Sequence, residues 1–494
     1  MTRPPDDKNS GGLVEITHEM AEKIGPKKPG KPKVVAGTQV QRDPDFIDEE
    51  LPIRYGENSS AQRFARKHAH ELRFVNTWGK WMHWDGRRWV HESTILAFDL
   101  IREVCDEIAH EAERDQSLTP YQQTKIAITY SSARTVASVE KFARAARAHA
   151  SLSGEWDQDK WAINTPGGIV NLKTGQTSPC DQAARMTKIT GVSPAPRADC
   201  PTWIKFLERV TGGDEDLQEF LKRIAGYSLT GSIKEHALFF LYGTGRNGKG
   251  TFLGMLQHIL GDYAQVAGMD VFIEQQGSRH PTELASLMGA RLVAAQETEQ
   301  GKRWAEARIK QMTGGDPVRA RFMRMDEFTF LPQFKLIIAG NHKPRLRNVD
   351  EAIKARMNLI PFTVTIPPQE RDKDLAEKLE AEAPAVFRWM IDGCMEWQEM
   401  GLKPPKCVTD ATEKYLSEQD SLAEWIEQEC VVNQRSRGLS KELYKAYAAF
   451  TEASGEYVMS VTAWKEKLAS RNMECGKYAG NIVIQGLDLK NKLI

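Results

Sequence analysis

The sequence predicts an α/β protein built on a parallel sheet, with a mainly helical region before the sheet and a smaller domain of helices and a hairpin after it. Residues 233–365 alternate apolar strand segments with polar loops and helical segments, which is the order found in parallel α/β sheets. Residues 93–152 carry apolar side chains at a spacing of three to four, which predicts helices. The Gly- and Ser-rich stretch 226–232 separates the two patterns and predicts a domain boundary.

The length and the charge balance limit the number of domains and the kind of surface. A chain of 494 residues exceeds what one hydrophobic core supports, so we expect several domains. The predicted ranges are 1–50, 51–232, 233–400 and 401–494. The 67 Lys and Arg residues equal the 67 Asp and Glu residues in number, so the formal net charge is zero. A nucleic-acid partner would therefore have to meet a local basic patch.

Cysteine usage and the absence of long apolar runs indicate the compartment. The seven cysteines are scattered singly, without a CxxC pair or a His–Cys cluster at metal-binding spacing. This usage is typical of a reducing compartment and argues against a disulfide framework or a zinc site. The first residues, MTRPPDDKNSGG, lack the apolar core of a signal peptide, and no run of about eighteen apolar residues predicts a membrane span. We therefore expect a soluble cytoplasmic protein.

The residues before the sheet form two predicted regions. Residues 1–50 are rich in Pro, Gly, Lys and Asp and predict a flexible basic arm. The stretch FVNTWGKWMHWDGRRWV (74–90) predicts a small β-meander whose tryptophans lie in a core, and INTPGGIVNLKTGQ (163–176) predicts a hairpin. Two short helices are expected near 202–211 and 214–228.

The residues after the sheet read as helices and a final hairpin. Two helices are expected to run through Trp397 after the turn-like TIPPQERDK (365–373). The last part reads helix, helix, helix, hairpin, an order that suits a winged-helix-like domain and equally a purely structural lid. In the winged-helix interpretation, the recognition helix carries Lys465, Lys467 and Arg471.

The stretch ALFFLYGTGRNGKGTFLGMLQHILG predicts a buried strand, a glycine-rich loop and a helix, in that order. Gly243, Gly248 and Lys249 meet the G-x-x-x-x-G-K spacing of a phosphate-binding loop. Backbone N–H groups and the positive end of the helix would surround the phosphates, and the Lys249 ammonium would bridge the outer two. Glycine is needed because a side chain would keep the backbone away from the phosphates. The predicted nucleotide-binding residues are Gly243, Gly245, Asn247, Gly248, Lys249, Gly250 and Thr251.

The loop departs from the usual pattern at one position. The hydroxyl group that normally holds magnesium would fall on residue 250, which is glycine, and Thr251 is the next candidate. We expect ATP and Mg²⁺ as cofactors, with either the Thr251 hydroxyl or a water held by a carboxylate completing the metal's ligands.

Two later strands end in polar residues that would complete a hydrolytic site. RLVAAQETEQG is an apolar strand, one strand along from the loop, that ends in Glu297 and Glu299, and FKLIIAGNHKPRL is another that runs into Asn341. Ligands of open α/β sheets bind at the carboxyl ends of the strands. Glu297 is the first candidate for the catalytic acid and for the carboxylate beside magnesium, and Glu299 is the second. Asn341 would hydrogen-bond the attacking water and the γ-phosphate. Solvated acids at a strand end are the alternative interpretation.

Basic residues in two further segments complete the candidate set. DEAIKARMNLIPF places Arg356 before an apolar strand, where it would neutralise charge on the phosphoryl group of a neighbouring subunit or form an ordinary surface salt bridge. IKQMTGGDPVRARFMRMDEFTFLPQ predicts a hairpin with basic residues near its end. Arg321 and Arg324 on this hairpin, and Lys310 on the helix before it, are the candidate DNA contacts. Exposed hairpins with arginine are also common without such a role.

Five motifs in order make the chain similar to the phage and plasmid primase–helicases of helicase superfamily 3, whose P-loop motor is of the AAA+ type. They are GTGRNGKGTF (motif A), LVAAQETEQG (B), KQMTGGDPVRARF through FTFLPQFKL (B′), IIAGNHKPRL (C) and KARMNLIPF (arginine-finger segment). The resemblance implies an AAA+ core and a homo-hexamer that translocates 3′ to 5′ on single-stranded DNA, with nucleotide between subunits, in a bacterial host or phage-infected cell. It also implies that Lys249 binds phosphate, Glu297 and Glu299 act at motif B, Asn341 is the sensor, Arg356 is the finger and Arg324 touches DNA.

Two departures from the family pattern shape the functional expectation. Motif B is Glu-Thr-Glu rather than two adjacent acids, which leaves the catalytic carboxylate open, and no primase domain fits before residue 51. We therefore expect a replicative DNA helicase without primer synthesis, working with forked DNA and a separate primase or polymerase. The alternatives are an AAA+ initiator or loader that hydrolyses ATP without unwinding and, with less support, a P-loop kinase. The hairpin and Arg356 argue against the kinase but do not separate helicase from loader.

Overall fold

The computed structural model describes residues 55–274, 282–296, 302–321, 327–346, 349–419, 421–453 and 458–490. The arm predicted for residues 1–50 lies outside these ranges. The described residues form alternating helices and strands around a five-stranded parallel sheet. The prediction of a mixed α/β protein with a parallel-sheet core is therefore confirmed.

The first region combines a small sheet with four helices. Its elements are α1 (Glu57–His68), β1 (Leu72–Val75), β2 (Lys80–Trp84), β3 (Trp89–His91), α2 (Leu96–Arg114), α3 (Pro120–Tyr130), α4 (Ala133–Ala145) and β4 (Ala150–Ser151). Strands β1, β2 and β3 form the predicted antiparallel meander, and β4 adds to β1 in parallel. Trp81 and Trp89 are buried, which confirms that these two tryptophans belong to the core.

A second small sheet and two helices connect this region to the parallel sheet. They are β5 (Ala162–Thr165), β6 (Gly168–Asn171), β7 (Gln176–Ser178), α5 (Pro201–Thr211) and α6 (Glu215–Leu229). β5 and β6 form the predicted hairpin, and β7 extends it by a third antiparallel strand. The two short helices lie where the sequence predicts them.

The parallel sheet and its connections follow. The elements are β8 (Leu238–Tyr242), α7 (Lys249–Leu260), β9 (Ala264–Val266), α8 (Thr282–Ala285), β10 (Leu292–Gln296), α9 (Glu306–Gly314), β11 (Val318–Arg321), β12 (Glu327–Phe330), β13 (Lys335–Gly340), α10 (Glu351–Lys354) and β14 (Met357–Pro361). The strand order is β14-β8-β13-β10-β9, and every neighbouring pair is parallel. All five carboxyl ends therefore lie at one edge. β11 and β12 form the predicted hairpin outside this sheet.

The elements after the parallel sheet differ from the sequence prediction in two ways. They are α11 (Leu375–Met400), α12 (Lys406–Glu418), α13 (Ser421–Glu429), β15 (Cys430–Leu439), α14 (Ser440–Ala453), α15 (Val461–Ala469), β16 (Cys475–Tyr478) and β17 (Asn481–Leu489). The prediction of two helices through Trp397 is wrong, because the single helix α11 continues past Pro384. The sequence prediction also missed β15, which pairs with β17 in a three-stranded sheet ordered β15-β17-β16.

The sheet is buried on both faces, as a parallel sheet requires. Alternate residues of β8 enter different clusters: Phe239 and Leu241 pack with α5, α6, α7 and α11, whereas Leu238 and Phe240 pack with α9 and α12 on the other face. The first of these clusters runs from Ile163 to Val408, so the hydrophobic core crosses positions 232 and 400. The four predicted domain ranges stay a prediction.

The Gly-rich stretch at 226–232 begins inside α6, at a helix contact. A Cβ atom on Gly226 would lie 2.0 Å from the backbone nitrogen of Cys394, and one on Gly393 would lie 2.3 Å from the carbonyl oxygen of Lys222. The backbones of α6 and α11 therefore touch directly, and glycine serves close approach here rather than a turn. Within the described ranges, the search for a helix that is both long and apolar enough to cross a membrane finds none.

Candidate nucleotide-binding site

The sheet order brings the glycine-rich loop and Asn341 together. β8 ends at Tyr242, and its register partner at the end of β13 is Gly340. The loop that begins at Gly243 and the side chain of Asn341 therefore leave neighbouring strands at the same edge. Ligands bind at this edge in open α/β sheets.

The loop leads directly into α7, whose first turn is open to a ligand. Gly248 precedes the helix with φ at +83°, a conformation that favours glycine. Among the described residues, no side chain caps this helix end. The first N–H groups of an α-helix have no partner within the helix, and together with the helix dipole they form an anion-binding site.

Lys249, the first residue of α7, places a buried ammonium group in this site. Its Nζ donates to the Gly243 carbonyl at 2.9 Å, to Asn247 Oδ1 at 3.0 Å and to Asn341 Oδ1 at 3.1 Å. The residue is only 7% exposed, and burial lowers the pKa of the amine from its ordinary value. All three partners are neutral oxygens, so the site holds a cation whose charge a phosphate would balance.

The glycines of the loop differ in their backbone conformation and in the atoms that surround them. A Cβ atom on Gly243 would lie 2.0 Å from the Phe362 carbonyl oxygen, and one on Gly248 would lie 2.4 Å from Val210 on α5. Gly245 has φ at +98°, and no described residue beyond its neighbours along the chain lies within 4 Å of an added Cβ there. A Cβ atom on Gly250 would likewise meet no such residue within 4 Å, so packing among the described residues does not explain the missing hydroxyl.

Thr251 lies in the first turn of α7, two residues after Lys249 and half-exposed. No hydrogen bond within the described ranges engages its hydroxyl. That hydroxyl is the magnesium ligand which the sequence predicts, and its position and freedom fit the role. A group of three or more His, Cys, Asp or Glu side chains at metal-binding distance is not found in the part of the chain that the structure describes.

Lys343 is a second cation at this edge that sequence reasoning missed. Its ammonium lies 4.1 Å from the ring centre of Tyr242, the last residue of β8, and burial lowers the pKa of the amine. Its position two residues after Asn341 was visible in the sequence. Its packing onto the ring of Tyr242 depends on the pairing of β13 with β8, which the sequence does not display.

Arg356 lies at the opposite edge of the sheet from the loop. It precedes β14, and its carbonyl accepts from the N–H of Leu238 at the amino end of β8. Its guanidinium donates to the Thr313 hydroxyl at 3.1 Å and to the Ala352 carbonyl at 2.7 Å. A strand of five residues spans about 16 Å, so the loop of the same chain is out of its reach.

The candidate DNA contacts have different surroundings. Lys310 on α9 forms an ion pair with Asp350, which also caps α10. Arg321 is exposed at the end of β11, opposite Glu327 of β12. Arg324 lies outside the described residues.

The two candidate acids also lie outside the described residues. β10 ends at Gln296, so neither Glu297 nor Glu299 is described. β10 is two places from β8 in the sheet, because β13 lies between them. The predicted adjacency of β8 and β10 is therefore wrong. After β10 the chain crosses over and returns as β13, which pairs between β8 and β10.

Two protein families match separate parts of the chain. The family described as "D5 N terminal like" matches residues 61–212, and a family of unknown function, DUF5906, matches residues 241–356. The first match covers the helical region and α5, and the second runs from the end of β8 to Arg356.

Individual relatives are viral. A protein named an inferred helicase, L207/L206 of Acanthamoeba polyphaga mimivirus, is 25% identical over 261 residues, which are 49% of this chain and 27% of the relative. Another inferred helicase, 022R of Frog virus 3 (isolate Goorha), is 26% identical over 266 residues, again 49% of this chain and 27% of the relative. The chain thus spans about a quarter of the length of these curated relatives. Among solved structures, the A-form apo structure of the NrS-1 C-terminal region matches with a TM-score of 0.44 and 12% identity, covering 84% of this chain and 96% of that one.

Proposed function

The chain belongs to the superfamily 3 primase–helicase family of phages and viruses, and from that premise we propose that it is an ATP-dependent DNA helicase of phage- or plasmid-type replication. The relatives that carry the name helicase support this class of activity. The parallel sheet with a glycine-rich loop after β8 supports an AAA+ P-loop motor as its core.

One observation carries the proposal: the buried Lys249 ammonium is held by neutral oxygens at an open helix start. Such a cation is costly to bury unless an anion balances it, so the geometry favours a polyphosphate ligand. Asn341 already contacts this ammonium and would sense the γ-phosphate. Magnesium, when bound, would neutralise charge on the phosphate oxygens, and Thr251 is its candidate protein ligand.

The position of Arg356 supports a shared site between subunits. It lies at the edge of the sheet away from the loop of its own chain, so it would reach the phosphates only of an adjoining copy. We therefore place nucleotide between neighbouring subunits of a ring, with a homo-hexamer as the expected assembly.

Single-stranded DNA is the proposed track of this motor. Arg321 on the β11–β12 hairpin supplies exposed positive charge, and Arg324 at the predicted tip adds to it. The C-terminal order α13-β15-α14-α15-β16-β17 suits a winged-helix-like domain. In it, α15 with Lys465 and Lys467 would be the DNA-facing helix, and a separate primase or polymerase is the proposed protein partner.

The test is strand displacement from a forked DNA substrate with ATP and magnesium. We expect the wild-type protein to release the labelled strand and the Lys249→Ala variant to release none. DNA-stimulated ATP hydrolysis without strand release would instead assign the chain to the initiators or loaders. Absence of both nucleotide binding and hydrolysis in the wild-type protein would contradict the proposal altogether.

A further inference from the structure

The side-chain amide of Asn247 lies buried between two parts of the site. It is 2% exposed. Its Nδ2 donates to the carbonyl oxygen of Phe362 at 2.6 Å, and its Oδ1 accepts from the Lys249 ammonium at 3.0 Å. The chemistry fixes this orientation, because an ammonium can only donate and a carbonyl can only accept.

The loop is shaped around this amide. A Cβ atom on Gly243 would lie 2.1 Å from Asn247 Nδ2 and 2.0 Å from the Phe362 oxygen. The first glycine of the loop is therefore required by the hydrogen bond between Asn247 and Phe362, in addition to any contact with phosphate.

Phe362, which accepts the Asn247 hydrogen bond, directly follows β14. The N–H of Phe362 donates to the Tyr242 carbonyl at 2.8 Å, which continues the pairing of β14 with β8. A second backbone bond, from Ile366 N to Arg246 O at 3.1 Å, joins the same segment to the loop. Arg246 has φ at +53°, which is unfavourable for a residue other than glycine and persists only where neighbouring contacts hold it.

We propose that Asn247 is a positioning residue: it fastens the phosphate loop to the end of β14 and presents the Lys249 ammonium to the incoming phosphate. This inference rests on the proposed nucleotide site and assigns Asn247 a role that does not require contact with the nucleotide. The loop is then already shaped for phosphate before nucleotide binds, so the cost of ordering it is not subtracted from the binding affinity.

The Asn247→Ala variant tests this role by separating binding from turnover. Because the preformed loop serves ATP and ADP alike, we expect the Kd for both to rise together by about tenfold, the value of one buried hydrogen bond. KM should rise in step, and kcat should change by less than about threefold, because uniform binding is lost rather than an interaction special to the transition state. The matched control is Asn58→Ala, which removes an exposed amide from α1.

Limited proteolysis in the absence of nucleotide tests whether Asn247 holds the loop against the end of β14. Arg246 is exposed, so trypsin can cut the bond between Arg246 and Asn247 once the loop opens. We expect mass spectrometry to show faster cleavage at this bond in Asn247→Ala than in wild type and Asn58→Ala. Asn247→Asp keeps an oxygen for Lys249 but cannot donate to Phe362 when ionised, so it should also be cut faster.

The outcomes separate the inference from the proposed function. Wild-type rates of cleavage in both Asn247 variants, together with unchanged nucleotide affinity, would overturn the positioning role. A wild-type protein that binds no nucleotide would contradict the proposed function. The cleavage rates would still test whether Asn247 holds the loop against the end of β14. If Asn247→Ala fails to fold, the cleavage rate of the similarly sized Asn247→Asp variant tests the positioning role.

Discussion

At the scale of single residues, the candidate site depends on a positive charge that none of its described hydrogen-bond partners balances. Lys249 is surrounded by the oxygens of Gly243, Asn247 and Asn341, and none of these carries charge. Burial lowers the pKa of its amine, so the protein environment disfavours the charged form. A bound phosphate would favour the charged form and offset this effect.

The first prediction follows from this charge. Lys249→Ala should weaken ATP binding by about 10- to 150-fold, the range for a hydrogen bond to a charged group, and should abolish turnover. Isothermal titration with ATP and a phosphate-release assay measure the two effects. Lys125→Ala, which removes an exposed lysine from α3, is the control and should behave as wild type.

The second prediction concerns the magnesium ligand. Thr251→Ala should reduce magnesium-dependent hydrolysis by at least about tenfold while the protein stays folded, because its hydroxyl lies in the first turn of α7 and no other described residue hydrogen-bonds it. Gly250→Ser in the same background should restore part of the activity, since an added Cβ at 250 meets no described residue beyond its neighbours along the chain within 4 Å. Magnesium titrations of the single and double variants give the measurement. Undiminished hydrolysis in Thr251→Ala would remove the hydroxyl from the site.

The third prediction concerns a second buried amine, Lys335, at the amino end of β13. Its Nζ donates to the carbonyl oxygens of Thr230 and Ser232 and lies 4.6 Å from the ring centre of Tyr227. Burial holds its pKa well below the ordinary 10.5. The unfolded chain therefore binds more protons than the folded protein between that lowered pKa and about 10.5, so folding stability should rise with pH across this window.

Urea unfolding at pH 7, 8 and 9 checks this sign against Lys335→Met. The stability difference, wild type minus variant, should increase with pH by up to about 1.4 kcal/mol per pH unit. A difference that stays flat or falls with pH would contradict a pKa held well below 10.5 in the folded protein.

At the scale of elements, the contact between α6 and α11 shows how glycine sets a helix distance. Gly226 and Gly393 let the two backbones approach closely enough that a Cβ atom on either would overlap the other helix. Both atoms that would be struck belong to backbone, so a rotamer change cannot relieve the overlap. The two helices cover one face of the sheet, and their spacing therefore supports the core beneath the phosphate loop.

The fourth prediction compares two glycines that both lie inside helices. Gly226→Ala should destabilise the protein by about 1 to 3 kcal/mol or more, because it overpacks the α6–α11 contact. Gly254→Ala should be neutral or stabilising by about 0.5 to 1 kcal/mol, because Gly254 is exposed on α7 and an added Cβ meets no described residue beyond its neighbours along the chain within 4 Å. Denaturant midpoints of the two variants provide the measurement. Equal shifts would contradict the packing argument.

Elements with a strong local signal could be predicted from the sequence, and elements that depend on distant partners could not. β8 and α7 follow from an apolar run, a glycine loop and a helical apolar stripe that Gly261 ends. β15 lacks such a signal: residues 433–436 lie opposite only Gly486, so no alternation marks the strand. The continuity of α11 through Pro384 was equally hidden, because packing on the sheet outweighs the local preference of proline.

At the scale of the whole molecule, the helix that begins at the phosphate loop ends against the N-terminal region. Asp262, just after α7, forms an ion pair with Arg88, and its N–H donates to the Ile189 carbonyl at 3.1 Å. The Gly191 N–H donates to the Ile259 carbonyl at 2.9 Å. The two family matches, to 61–212 and 241–356, therefore describe parts of the chain that contact each other at the far end of α7.

In the candidate site, too, the residues with a local sequence signal were predicted, and those that depend on residues distant in the chain were not. The glycine spacing predicted the loop and Lys249, the polar end of an apolar strand predicted Asn341, and the sheet order explains why they meet. The Phe362 carbonyl and Lys343 were not found, because a backbone oxygen has no sequence signature and the ring beneath Lys343 comes from another strand. Arg356 was predicted by its place before an apolar strand, but its distance from the loop of its own chain follows only from the parallel pairing of β14 with β8.

That distance leads to the last prediction, which concerns the assembly. Arg356→Ala should retain ATP affinity within about threefold but lose turnover by about a thousandfold or more, because the arginine would act on the phosphates of an adjoining copy. Its contacts with Thr313 and Ala352 make it part of the fold as well, so thermal unfolding must first show that the variant is folded.

Mixing Arg356→Ala with Lys249→Ala protein then tests the shared site. A boundary that joins the intact loop of the first variant to the intact arginine of the second is complete, and in an equal, random mixture about a quarter of the boundaries have this composition. Hydrolysis should therefore recover to about a quarter of the wild-type rate if each boundary works alone, and to less if the ring requires concerted action. Full activity in a strictly monomeric wild-type protein, measured by light scattering under assay conditions, would contradict a site built by two copies.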